Sequence, residues 1–352
     1  MNNNFNQMGQ FGGWSPSPYG YGVGSYNEQY LRFVQKEEEK KKIRKIGQYC
    51  GLAVLGYVII SYAISFLILF ISWIYPSISK IYNETLPTLA FDIAITVLSV
   101  GIPFIIIHFL LKKEKTAVEL PFGKTENKKI AICLVMIFLP VMVISAVAIN
   151  YISAFVQALM GIEFTAAVNE IKLAGIKETL LGVLSVAIVP AIIEETVIRG
   201  VLMQPLRKYG DKFAILMSAL VFACMHGNMV QIPYTVVGGC LLGYLAVVTE
   251  SLWPSIILHF INNLYSVIAI SVNDNFGETA STISVLVMLS IFAVVGIIGV
   301  VQYKKIKEEI KLSKNDELLN TKEKISAFLV NPPAIIAIIV LILITLSNVI
   351  KA

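Results

Sequence analysis

The sequence predicts an all-α fold: a polytopic integral membrane protein with about nine transmembrane helices around a polar intramembrane cavity. Three observations predict it. Hydrophobic residues make up 56% of the 352 and charged residues only 14%, against about 25% charged in a soluble domain, and mean hydropathy is +0.74. The apolar residues gather into nine runs, at about 48–74, 87–111, 130–156, 179–204, 212–228, 232–249, 252–272, 281–302 and 329–349. Most reach the about 20 residues that a helix needs to cross a bilayer core. Finally, 23 of the 28 lysines and arginines fall in alternate gaps between the runs.

Residues 1–46 precede the first run. Gly, Asn, Ser, Pro and Tyr dominate residues 1–30, as in Phe11-Gly12-Gly13-Trp14-Ser15-Pro16. Such a composition buries too little apolar surface to order itself, so a disordered, low-complexity cytoplasmic tail is expected. Residues 31–46 are charged and basic, and are expected to form a short helix leading into the membrane. No cleavable signal peptide is evident, because the first 46 residues are polar and the first run is long enough to remain as an anchor.

A membrane domain is expected over residues 47–302. Its runs are read as helices because an isolated strand leaves its backbone unsatisfied in lipid. The runs at 212–228 and 232–249 are short, which suits tilted or re-entrant segments. The gap at 160–178 carries Ile162, Phe164, Val168, Ile171 and Ile176, the pattern of an amphipathic segment on the outer face. A charged cytoplasmic linker follows at 303–328. Residues 329–352 supply an extra transmembrane helix, peripheral to the polar spans, that starts at Asn331-Pro332-Pro333.

Charge placement orients the chain. With the N-terminus cytoplasmic, the tail holds seven basic residues, the 112–129 gap six, Arg207, Lys208 and Lys212 three, and the 303–326 linker seven. The opposite side keeps Lys80, Lys172, Lys177 and Lys351. Cytoplasmic loops carry the excess of Lys and Arg, so the expected location is the plasma membrane, multi-pass, with a cytoplasmic N-terminus. Cys50, Cys133, Cys224 and Cys240 lie in or beside apolar runs and form no CxxC pair, which argues against a disulfide framework or a thiolate metal site.

Chemistry concentrates in three spans. The run at 179–204 carries Glu194, Glu195 and Arg199; the run at 212–228 carries Phe222 and His226; the run at 252–272 carries His259, Asn262 and Asn263. Charges inside a span mark functional sites. Glu195 and Arg199 are four apart and share a helix face, the spacing of an ion pair that fixes register. Glu194 points about 100° away and finds no partner on its own helix. A buried carboxyl without a partner suits a group that takes and returns a proton. His259 and Asn263, again four apart, form a donor pair of the kind that holds an oxyanion. They equally suit an interhelical hydrogen-bond pair. His226 can share a water with Glu194, as base or as metal ligand, or can simply pack at a helix end. Gly239 and Gly243 fit GxxxG, a close-packing motif. Pro190 is expected to kink its helix a turn before Glu194.

These motifs, Glu194-Glu195-x-x-x-Arg199, Phe222-x-x-x-His226 and His259-x-x-x-Asn263, resemble those of the CAAX-processing and bacteriocin-processing (CPBP) intramembrane proteases, formerly the abortive-infection family. The likeness covers roughly residues 130–272. It implies an intramembrane endopeptidase in which Glu194 and His226 activate water and His259 and Asn263 stabilise the oxyanion. Glu195 and Arg199 support the site. The family is often labelled metalloprotease, so Glu194, His226 and His259 are also candidate ligands of a zinc ion. The implied substrate is a membrane-associated, lipidated (CAAX-type) or secreted-peptide precursor, cut in or near the inner leaflet. The expected partners are that peptide and the bilayer, with no nucleic acid. A non-catalytic scaffold, a bacteriocin self-immunity protein and a proton-coupled transporter are the competing readings.

Overall fold

The computed structural model describes residues 23–77, 84–116, 118–125, 127–164, 171–306, 310–315 and 318–351. Helices account for almost all of it. In chain order they are α1 (Val23–Ile74), α2 (Thr85–Lys113), α3 (Lys128–Met160), α4 (Ile176–Arg207), α5 (Asp211–Met225), α6 (Gln231–Thr249), α7 (Trp253–Phe276), α8 (Glu278–Tyr303), α9 (Thr321–Leu329) and α10 (Pro332–Ser347). Two three-residue strands, β1 (Ile162–Phe164) and β2 (Val349–Lys351), pair antiparallel with Glu163 opposite Ile350.

Seven helices among the described residues are long and apolar enough to span a membrane, or up to eight if α9 and α10 count as one broken span. The expected number was about nine. The difference lies at α5, which has 15 residues, about 22 Å of helix, and falls short of a hydrocarbon core of about 30 Å. It sits inside the bundle instead, with Phe213, Ala214, Met217, Ala219 and Phe222 buried. The tail expectation is also revised. Residues 23–46 continue α1 as one helix of 52 residues; residues 1–22 lie outside the described residues.

Two devices set the packing. On the lysine-rich face, Arg207 donates to both carboxylate oxygens of Glu250, at 2.8 and 2.6 Å, and to Asp211 Oδ1 at 2.9 Å. This planar guanidinium ties together the ends of α4, α5 and α6. Asp211 Oδ2 in turn accepts from the backbone N–H of Ser313 at 2.7 Å, so the charged linker is docked on α5. Lys324, buried, donates to the carbonyls of Tyr209 and Asn315.

The second device is the C-terminal pair. Asn320 and Glu323 close a reciprocal capping box at the start of α9. The chain then bends by 80° at Asn331, whose side chain accepts from Ala334 N at 3.1 Å and donates to Phe328 O at 2.7 Å. The last helix, α10, packs along α1 at Gly51. A Cβ there would stand 2.5 Å from Ala334 N and 2.6 Å from Pro333 C. Asn348, just past α10, donates to Gly227 O at 2.9 Å, which brings the last helix beside the end of α5.

The backbone atoms facing Gly51 cannot swing aside, so Gly51→Ala is expected to separate α1 from α10 and cost about 1–3 kcal/mol. Gly101→Ala is the control, since its Cβ meets nothing within 4 Å. Thermal unfolding in detergent with limited proteolysis of the 310–331 segment reads the outcome. Equal melting and equal nicking of the two variants would contradict the tight seam.

Candidate active site

The site is built around α4. This helix is not uniform: wider π turns occupy Val183–Ile188 and Thr196–Leu202, and a regular turn carrying Pro190, Glu194 and Glu195 lies between them. Such turns recur at functional sites because an inserted residue re-aims the side chains beyond it. The freed carbonyl of Arg199 is taken by Gln204 Nε2 at 3.0 Å.

Glu195 and Arg199 are both wholly buried. Arg199 Nη1 lies 3.0 Å from Glu195 Oε1, the ion pair expected from their spacing. Arg199 Nη2 donates to Gly239 O at 3.2 Å, and its guanidinium stands 4.6 Å from the centre of the Phe222 ring, a cation–π distance. Gly239 is required there: a Cβ would stand 2.9 Å from Ala219 Cβ and 3.5 Å from Arg199 Nη2. The GxxxG glycines of α6 therefore face α5, as close packing demands, with Gly243 against Ile215.

The same carboxylate holds a histidine. His259 Nδ1 is 2.9 Å from Glu195 Oε1, so the ring donates from Nδ1. Its Nε2 is 3.7 Å from Glu194 Oε2. Glu195 thus belongs to two partners, Arg199 on its own helix and His259 on α7. One turn on, Asn263 Nδ2 donates to Val186 O at 3.0 Å. Pro190 explains that bond. It has no N–H to offer the carbonyl four residues back, and Asn263 meets that carbonyl from α7. His226 caps the C-terminal end of α5. Its Nδ1 is 2.9 Å from Phe222 O; facing a carbonyl, Nδ1 carries the proton and Nε2 is left as an acceptor.

Glu194, His226, His259 and Asn263 line one cavity of about 450 Å³, joined by Asn262, Tyr234 and Gln231. Glu195 and Arg199 do not reach it. Glu194, with its side chain 20% exposed, is the one carboxylate in the lining. Glu194, His226 and His259 do not assemble into the expected zinc-ligand trio. Among the described residues no group of three or more His, Cys, Asp or Glu could hold a metal ion. The side chains therefore do not fit that metal, and no step is assigned to it.

Two positioning residues escaped the sequence reading. Tyr57 Oη on α1 donates to Met225 O at 3.2 Å, and Asn348 holds Gly227. Both brace the backbone on either side of His226. Nothing in the sequence near Tyr57 distinguishes it from an interfacial tyrosine. Asn348 lies at the end of the run read as an extra transmembrane helix.

Removing one member of a buried ion pair strands the other charge. Arg199→Leu is expected to destabilise by about 3–5 kcal/mol. Adding Glu195→Gln should recover part of this, because the stranded charge is gone. Thermal and denaturant unfolding check both, and wild-type stability in Arg199→Leu would show the pair to be idle.

No curated protein and no solved structure gives a significant match to the chain. A family model does match, over residues 176–265, and its description is "Type II CAAX prenyl endopeptidase Rce1-like". The matched stretch runs from the first residue of α4 into α7 and contains all three motifs. Over these residues the chain carries a domain of the type II CAAX prenyl endopeptidase Rce1-like family, the CPBP grouping of membrane endopeptidases.

Proposed function

We propose that the protein is an intramembrane endopeptidase that hydrolyses a peptide bond of a membrane-associated precursor with a water activated by Glu194. The observation that carries this reading is the setting of Glu194. It alone brings a carboxylate into the polar cavity, 3.7 Å from His259 Nε2, while Glu195 and Arg199 neutralise one another behind it.

In this mechanism Glu194 takes a proton from water, and the oxygen attacks the scissile carbonyl. His226, with Nε2 as acceptor, orients that water. The tetrahedral oxyanion needs donors. His259 Nε2 is one when it carries a hydrogen, with the ring held through Nδ1 on Glu195 Oε1. The second N–H of Asn263 is the other donor. Glu194 then returns its proton to the leaving amine, so the proton count closes without a further acid. The family match supports peptide hydrolysis, and the separation of Glu194 from the Glu195–Arg199 pair supports its assignment as the base.

We further assign the lysine-rich face to the cytoplasm, with the N-terminus on that side, in a multi-pass protein of the plasma membrane. The placement of 23 of 28 basic residues supports this.

Glu194→Gln keeps the shape and removes the base. Purified variant and wild type, incubated with a peptide library and read by mass spectrometry, should differ by at least about 10²-fold in cleavage, with melting unchanged. An undiminished rate in Glu194→Gln would remove Glu194 from the reaction. Absence of cleavage by the wild type as well would favour a scaffold.

A further inference from the structure

The cavity has a closed end and an open end, and the two can be placed against the charge pattern. Helix rise is about 1.5 Å per residue. Measured from the lysine-rich ends of α6 and α3, at Thr249 and Lys128, Leu242 lies about 10 Å deep, Thr235 about 21 Å, Gln231 about 27 Å and Asn150 about 33 Å. All four line the cavity.

Exposure follows this ladder. At the shallow end Leu242, Phe222 and His259 are buried. Between them and the lysine-rich face stand Leu245 and Ala246, both at 0% exposure. Ser255 Oγ, bonded to Leu242 O at 2.9 Å, and the Arg207–Glu250 clamp close that end further. At the deep end Gln231 is half-buried and Asn150 is exposed. The cavity is thus sealed toward the lysines and opens on the opposite side. The lining there is neutral and rich in amides and hydroxyls. No lysine or arginine is among the lining residues of the cavity and Glu194 is its carboxylate, a lining that disfavours an acidic segment or a free terminal carboxylate.

We propose that substrate reaches Glu194 from the non-cytoplasmic side, as an uncharged, extended segment of a translocated or secreted peptide precursor. The inference rests on the peptidase reading for its chemistry and on the lysine bias for its direction. It replaces the expected cut near the inner leaflet. A lipidated C-terminus held at the cytoplasmic face would meet the sealed end. Side-chain amides of Asn150, Gln231 and Asn262 suit the backbone N–H and C=O groups of an extended chain, which every such segment presents.

The test uses full-length protein in cells, with Asn150→Cys and Gln231→Cys at the mouth and Lys305→Cys on the lysine-rich face. A membrane-impermeant maleimide is added before or after permeabilisation, and the unsubstituted protein sets the background from its own four cysteines. The expected result is labelling of Asn150→Cys and Gln231→Cys in intact cells, and of Lys305→Cys only after permeabilisation. Labelling of the mouth positions only after permeabilisation overturns the proposal, as does no labelling of either in folded protein. Cleavage of neutral peptides by the detergent-solubilised wild type is measured in parallel. Cleavage with mouth positions open only to the lysine-rich side leaves the peptidase reading and sinks the sidedness. Labelling from the far side with no peptide cleaved does the reverse.

Discussion

Everything at this site depends on one carboxylate oxygen, Glu195 Oε1, which faces Arg199 at 3.0 Å and His259 at 2.9 Å. A lone buried carboxylate would lose several kcal/mol of solvation. The arginine offsets that loss, and the arginine is held in turn by Gly239 O and the Phe222 ring. Three helices are thereby locked in mutual register: α4 through both charges, α6 through a glycine carbonyl, and α7 through the histidine. The glycine on α6 matters because any larger residue would push α5 and the guanidinium apart. A buried polar cluster that spans three helices specifies one arrangement that lipid-like packing alone would leave degenerate.

The elements outside the matched residues complete this arrangement. The α5 helix is too short to span a bilayer, and its last turn, with His226, ends among other helices. Its terminal carbonyls would be exposed to an apolar medium without partners. Tyr57 supplies one from α1 and Asn348 another from beyond α10. The long first helix and the bent C-terminal pair therefore brace the end of α5 from behind, without lining the cavity themselves. Their seam at Gly51 is the contact that lets them reach α5 from the same side.

Much of this was legible in the sequence, and the boundary is physical. Contacts within one helix follow from spacing, so the Glu195–Arg199 pair and the divergent aim of Glu194 were read from residue numbers. The all-helical membrane fold followed from hydropathy, since lipid leaves few alternatives. Contacts between helices were not legible. Spacing says that His259 and Asn263 share a face, but not that His259 turns to Glu195 or that Asn263 fills the carbonyl orphaned by Pro190. Pro190 was recognised as a kink, while its consequence on α7 depends on a rotation angle that no local pattern encodes. Hydropathy also overcounted spans, because it registers apolar character and cannot distinguish a helix facing lipid from one, like α5, buried among its neighbours.

The arrangement also bears on why two adjacent glutamates are needed. In the proposed mechanism negative charge leaves Glu194 as it takes the water's proton and reappears on the oxyanion. His259 Nε2 lies 3.7 Å from Glu194 Oε2, so one donor serves the charge at both ends of this short movement. That works only if the ring keeps its orientation throughout, since reorienting a dipole during the reaction would raise the barrier. Glu195 supplies the fixed partner on Nδ1, with Arg199 beside it as counter-charge. Had a single glutamate to act as both base and anchor, protonating it would release the ring at the moment the oxyanion formed. Separating the roles onto neighbouring residues, about 100° apart on the helix, places the anchor in the packed interior and the base in the cavity.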